Sequence, residues 1–431
     1  MVTRMSAVRR ISFSKLTQKQ AAAAIARHEM LYAGRMGGAR AVFAFCDLSG
    51  LDFAGRNLAD ADFTGALLEE TNLAGAKLDS ASFFGADLRR ANLAAASLRR
   101  ADMRGASLRG ANLIGADLYE ADLREGTIAE RDRYGNLRVM QHDIGATEMP
   151  DVLMNSANLE RAKLSGSIAV HADFTDAIMR NCKLTRANLR NAKLTGANLE
   201  NADLSGCVLS GADLSGSILV GAHIATAVLD GANMTDTLTE APAGANTTSL
   251  MEILHAHAHW AESDGRDGKP ADLSGADLRS IRSLAHRQLT ALIAPGAMFY
   301  GLDLEGASLQ GSNLAGADLR GCRLAGADLR GANLCGAKLA NANLHDAKLG
   351  PLMISDQRLL PARLDGAMAR YADFRGADMR RAKLTDADLC YANLTGADLK
   401  DCEIEGALLS GAKLPPMLAD TLTSQSISGV A

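Results

Sequence analysis

The chain has 431 residues, 46 Lys plus Arg against 50 Asp plus Glu, 47% hydrophobic residues and only 4% aromatic ones. That is ample apolar material for a large core of small side chains, and no run of about 18 apolar residues exists to cross a membrane as a helix. A net charge of −4 with few aromatics argues against direct nucleic-acid binding.

Residues 1–15 carry Arg4, Arg9 and Arg10 without an apolar run behind them, so they read as a basic tail and not a signal peptide, and the protein reads as cytoplasmic. Through residue 40 eight Lys and Arg stand against Glu29 alone, a local +7 that leaves −11 for the remainder. Such asymmetry guides a partner or an anionic surface, or simply solvates the end of the chain. Thr17 to Ala33 predicts a helix: Thr17 and Gln20 have capping-box spacing, Gly34 is a stop, and Ile25, His28 and Tyr32 share one face.

From Leu48 every fifth residue is large and apolar (Phe53, Leu58, Phe63, Leu68, Leu88 and on to Ile128), and two residues before each sits a small one, usually Ala. A step of five turns 500° on an α-helix and makes no stripe, while an odd step on a straight strand alternates faces. The chain buries every one of these residues on one side only if it bends once per five residues. The Gly that often ends the unit and the Asp, Asn or Ser before the apolar residue are turn formers that supply the bends. Repeated bends of one sense wind a solenoid.

Residues 129–154 break the period and predict an insertion, with Arg131, Arg133, Tyr134 and Arg138 at a basic hairpin tip. A second run goes from Leu159 to Met234, and 241–248 reads as a linker. Ser249 to Glu262 predicts a second helix opened by a Ser249 and Glu252 box and closed by Gly265, with His257 buried beneath it and Trp260 one turn on. A third run begins with Leu273 and Leu278, slips by one residue, then keeps phase from Leu284 to Leu414. Residues 415–431 read as a short cap and tail.

These units, Ala-(Asp/Asn)-Leu-X-X, resemble those of pentapeptide-repeat proteins over most of residues 41–414, and roughly sixty of them are too many for chance. The resemblance implies an all-β solenoid: a right-handed quadrilateral β-helix, one pentapeptide per side and twenty residues per coil, with residues such as Leu88 pointing inward. About fifteen continuous coils would make a rod of about 70 Å. Each helix and its following run then form one of two tandem modules, 16–240 and 249–414, the helix covering an open end that otherwise exposes unpaired backbone.

Leu164 to Leu184 aligns without gaps to Leu364 to Leu384, with Ala169 and Ala369 in the large-residue slot and Phe174 and Phe374 in the next; Ala294 and Phe299 repeat the pair. The expectation is that each Phe fills volume left by its Ala. Five of the seven Cys fall at the small core position, so they read as core residues and not a disulfide or metal framework.

Nothing assembles into an active site: Walker, dinucleotide and nucleophile motifs are missing, and no cofactor is implied. His255 and His259 share a helical face but lack a third ligand, so no metal is expected. With four units per coil, Arg89, Arg90 and Arg109 fall on one face and Arg104 and Arg124 on the next, a candidate surface for an acidic partner or a charge set that keeps the solenoid soluble. The favoured function is a non-catalytic scaffold for an unidentified protein partner, with homodimerisation through coil ends open. The resemblance also implies an alternative, since some members mimic duplex DNA and bind type II topoisomerases such as gyrase. The near-neutral charge and interrupting Arg residues argue against that use.

Overall fold

The computed structural model describes residues 13–126, 129–131, 137–139, 146–240, 247–281, 283–355 and 357–415. The chain divides into two compact units, Met1–Glu240 and Ala241–Ala431. In both, a single residue of each pentapeptide makes a parallel bridge to the residue twenty positions on, as in Asp62 to Ser82 to Asp102 to Asp122, so four columns of bridges run along each unit. Each unit is therefore a solenoid.

Two local devices explain why a five-residue unit can do this. First, the Asp or Asn before the core residue accepts the backbone N–H two positions on (Ser49 N to Asp47 Oδ1, 3.0 Å), which fixes the corner. Second, the last residue of the unit takes a positive φ near +55 to +75°, as Gly105 does at 64° and Arg90 at 56°. Gly adopts that conformation without steric penalty, and the many Asn and Asp residues at the same slot tolerate it best of the rest. On one face the Asn side chains also bond from coil to coil (Asn92 Nδ2 to Asn72 Oδ1, 3.1 Å; Asn112 Nδ2 to Asn92 Oδ1, 3.3 Å).

The core of unit 1 is the inward column of Leu, Phe and Ala, with Leu88 wholly buried. Phe43, Phe63 and Phe83 stack on successive coils, centroids 5.3 and 4.9 Å apart. The last turns are half-open: Ile224, Leu229 and Met234 are only partly buried.

At the other end, the strand β1 (Ser14–Lys15) pairs in parallel with β2 (Cys46–Asp47), so Ser14 and Lys15, expected in the tail, belong to the fold. Helix α1 (Gln18–Tyr32) is capped by Thr17 and Gln20 as predicted. Gln18 then offers Asp52 the bonds of a missing strand, its Nε2 donating to the carbonyl at 2.7 Å and its Oε1 accepting the N–H at 2.9 Å. Glu29 accepts Asn57 N–H and a two-pronged bond from Arg56, which holds its carboxyl below the usual range. The His28 Nδ1 accepts Ala41 N–H at 3.0 Å. All four faces of the first coil thus have their edge backbone engaged by β1 or α1.

The insertion between runs contains an antiparallel pair, β3 (Ala129–Arg131) and β4 (Leu137–Val139), with Glu130 opposite Arg138 and Arg131 opposite Leu137. Arg133, Tyr134 and Ile128 lie outside the described residues. The insertion is shorter than expected. Glu148 already bridges Ser107 and Leu153 bridges Asn112, while Met149, Val152 and Met154 are buried. Met149, Met154 and Leu159 keep the five-residue step; Met in the large slot and Pro150 in the turn hide it.

In unit 2, α2 (Thr247–Glu262) starts before Ser249, so the Ser249 and Glu252 box does not open it and the expected linker is shortened; residues 241–246 lie outside the described residues. The slip is real: Asp272 and Asp277 bridge partners 21 positions on, and from Ser283 the step is twenty. The phase from Leu284 to Leu414, however, conceals an excursion. Asn333 bridges Arg363 and Lys348 bridges Asp378, steps of thirty, because the hairpin β5 (Leu352–Ser355) and β6 (Arg358–Leu360) leaves the coil. An insertion of ten residues preserves a period of five, so Ile354 and Leu359 sit in phase with the core yet are 53% and 41% exposed. The tail from 416 lies outside the described residues.

Phe174, Phe299 and Phe374 are buried, as are Ala169, Ala294 and Ala369. If the rings compensate for the small residues, Phe374→Leu costs about 1 kcal/mol in urea unfolding; a change under about 0.5 kcal/mol would end that idea.

Candidate functional site

The predicted Arg cluster is in place, but most of its charge is already used. Arg89 donates a fork to Asp87, Arg104 to Asp102 and Arg124 to Asp122, Nη2 to Oδ2 2.7 Å in each. The arrangement is local: Asp-Leu-Arg or Asp-Met-Arg puts a carboxylate and a guanidinium two residues apart on one side of a corner. The carboxylate also caps the corner N–H. The same fork recurs at Arg330 on Asp328 and Arg380 on Asp378. Burial pushes Asp122 up, but the Arg124 fork and the backbone bond outweigh it and leave the carboxyl below its usual range.

Arg90 adds ion pairs to Glu69 at 2.6 Å and Glu70 at 3.0 Å, and Arg109 one to Glu148 at 3.6 Å. Arg104 also lies over the Phe84 ring, 5.0 Å from its centroid. Arg89, Arg90 and Arg109 therefore share a face on which each meets an acid. The signal for the forks, Asp two residues before Arg89, Arg104 and Arg124, is plain in the sequence once the corner geometry is known, whereas the acids of Arg90 and Arg109 come from other coils.

The uncommitted cations lie elsewhere on unit 1. A cleft of about 670 Å³ is lined by Arg100, Arg104, Arg161, Lys163 and Lys183 against Asp102, Glu120 and Asp122. A second, of about 600 Å³, reaches from Arg104 and Arg124 to Arg186. Arg161 pairs with Glu120 at 3.5 Å. Arg100, Lys163, Lys183 and Arg186 make no ion pair among the described residues. Lys163 and Lys183 bridge one another on adjacent coils, so two exposed ammonium groups stack with no acid between them. The step of twenty from Lys163 to Lys183 is legible in the sequence, but that neither makes an ion pair with a neighbouring acid depends on the stacked side chains.

His257 is wholly buried, and its Nδ1 accepts Ala271 N–H at 3.0 Å. His28 does the same for Ala41, and both Nε2 atoms are buried without a hydrogen-bond partner. Tyr32 packs on His28 with centroids 4.9 Å apart, and Trp260 on His257 at 5.6 Å. The residue before each His accepts from the returning chain, Ala39 N to Arg27 O and Lys269 N to Ala256 O. Burial lowers both imidazole pKa values below the ordinary 6.5. Histidines with these constraints are structural.

His255 and His259 are exposed on α2, and no group of three His, Cys, Asp or Glu placed to hold a metal occurs among the described residues. The core thiols of Cys182 and Cys207 each donate to a carbonyl of the preceding coil at 2.7 Å, and burial pushes Cys207 up to about 12, so it is a poor nucleophile. No helix among the described residues is long and apolar enough to cross a membrane.

No curated protein matches the chain. Among solved structures it is similar to the pentapeptide repeat protein Rfr23 of the cyanobacterium Cyanothece 51142, at 26% identity over 32% of this chain and 91% of that one, TM-score 0.24. It is also similar to HetL of Nostoc sp. strain PCC 7120, a pentapeptide repeat protein involved in heterocyst differentiation regulation, at 22% identity over 91% and 96%, TM-score 0.16. QnrB1, a plasmid-mediated fluoroquinolone resistance protein, shares 17% identity over 48% of this chain and 95% of its own, TM-score 0.23. The sequence model described as pentapeptide repeats matches 46–124, 157–237, 296–350 and 361–414, and its gaps enclose both hairpins of the structure. With a matching model over more than half its length and one bridge per five residues in both units, the chain belongs to the pentapeptide-repeat family.

Proposed function

We propose that the protein is a non-catalytic scaffold built from two right-handed, four-sided β-helical modules, each closed at its first coil by its helix, and that it presents a cationic face of unit 1 to an acidic protein surface. The observation that carries this reading is the stacked pair Lys163 and Lys183 with Arg100 and Arg186 around it, cations without an ion pair among the described residues, beside Arg89, Arg104 and Arg124, which each have one. A rigid face with unneutralised charge steers a complementary partner and sets its specificity. A reduced cytoplasm suits its seven free thiols.

In a pull-down from native cytoplasm, Lys163→Glu with Lys183→Glu is expected to lose the captured partner while the melting curve stays unchanged. Retention of the same partner at the same yield would remove this face from the proposal.

The topoisomerase reading needs an unbroken line of negative charge. The column Asp102, Asp122, Lys163, Lys183, Asp203, His223 changes sign twice. A supercoiling assay is therefore expected to show no inhibition of gyrase by the full chain.

A further inference from the structure

We propose that the hairpin β5–β6 of unit 2 and the cleft beside it form a docking groove for an acidic peptide segment of another protein, one that carries an apolar anchor. The inference rests on the scaffold reading only in taking the partner to be a protein.

The hairpin is anchored on one side and bare on the other. Its Leu352 and Leu360 pair lies on Gly331, where an added Cβ would come within 2.8 Å of Leu352 Cβ and 3.1 Å of Leu360 Cδ2. The next cross-strand pair, Met353 and Leu359, faces away and is 67% and 41% exposed, with Ile354 in the bulge between. A detour that served only as a solvated turn would gain nothing from holding three large apolar side chains in water.

The cleft is charged in a complementary way. About 540 Å³ in volume, it has Leu359 on its lip and Arg330, Lys348, Arg380, Arg381 and Lys400 in its lining, against Asp378 and Asp401. Arg330 and Arg380 are held by forks to Asp328 and Asp378, and Arg381 lies 3.8 Å from Asp401. Lys348 and Lys400 make no ion pair among the described residues. They lie on opposite sides of one intervening coil, since Lys348 bridges Asp378, Asp378 bridges Asp398, and Lys400 follows two residues later. Two coil spacings put them on the order of 10 Å apart along the axis, the span of about three residues of extended peptide.

Two unneutralised ammonium groups beside an apolar lip fit carboxylates spaced about three residues apart with an aliphatic or aromatic side chain between them. A nucleic acid fits less well, because the lining offers no aromatic ring for a base to stack on.

The test is fluorescence anisotropy on the full chain with a fluorescein-labelled peptide bearing Glu at every third position and Leu between. Matched probes are the same peptide with Ser for Leu, the same with Lys for Glu, and a single-stranded DNA. Expected is a Kd in the range of about 10–100 μM for the first probe alone. Lys348→Glu with Lys400→Glu should weaken it by about tenfold or more, and so should Met353→Ser with Leu359→Ser. The charge pair leaves the hairpin untouched, so it remains informative if the Ser variant unfolds. Lys163→Glu with Lys183→Glu should change nothing.

Equal binding of the Ser probe or the DNA would overturn the proposal, as would binding indifferent to both unit 2 variants, or no binding at all. Any of these with a partner still captured by the unaltered chain and lost with Lys163→Glu and Lys183→Glu sinks the groove and leaves the scaffold reading standing; no partner captured by the unaltered chain, with the peptide bound as expected, does the reverse.

Discussion

Phe63→Ala should cost about 3–5 kcal/mol in urea unfolding, whereas Met234→Ala, at the half-open end of the same unit, should cost about 1 kcal/mol or less. Phe63 is wholly buried between Phe43 and Phe83, with its ring within 2° of parallel to the latter. A solenoid core cannot collapse sideways to refill such a gap, because the Phe63 corner is fixed by the Thr64 N–H bond to Asp62 Oδ1 and by bridges from Asp62 to the coils on both sides. The cost therefore includes both lost transfer energy and an empty volume. Met234 already meets solvent and has no further coil to support. Equal costs at the two positions would mean that packing within the stack is far looser than these contacts indicate.

Acidification should loosen both helix-to-coil junctions. In the fold the neutral imidazole of His257 accepts Ala271 N–H, and that of His28 accepts Ala41 N–H. A proton on Nδ1 would turn that acceptor into a second donor facing an N–H. Burial is the leading cause that lowers both pKa values. At His28 the Ala59 carbonyl, Asp60 and Glu29 oppose it and Arg40 reinforces it; at His257 the Leu289 and Thr290 carbonyls oppose it. Because the folded-state pKa lies below the unfolded one, the stabilisation is complete above about pH 6.5 and is lost as pH falls through the depressed value. The slope is at most about 1.4 kcal/mol per pH unit for each His.

Trp260, the one Trp of the chain, packs on His257 and reports that titration in its fluorescence. The expected midpoint lies below 6.5, the ordinary His value, and His257→Gln should abolish it. A midpoint at or above the ordinary His value would show that the ring is not buried as described.

The period of five was enough to call for a solenoid, because burying every fifth residue on one side admits few other chain paths; the four units per coil came from the resemblance to the family. The inward Leu, Phe and Ala, the α1 capping box, the one-residue slip after Leu278 and the burial of His257 beneath its helix all follow from spacing alone. What spacing could not decide was anything that preserves or hides the period. The excursion at Leu352–Leu360 is ten residues long and leaves the phase intact. The return to the coil at Glu148 is written in Met and Pro instead of Leu and Ala. Nor could spacing tell which cations are free, since that depends on which side chains the coils stack together. Asp102 takes up Arg104 within its own corner, while the ordinary step of twenty stacks Lys163 directly on Lys183. Local periodicity determined the path of the backbone; the register between coils, set only when they stack, decided where charge and apolar surface were left over.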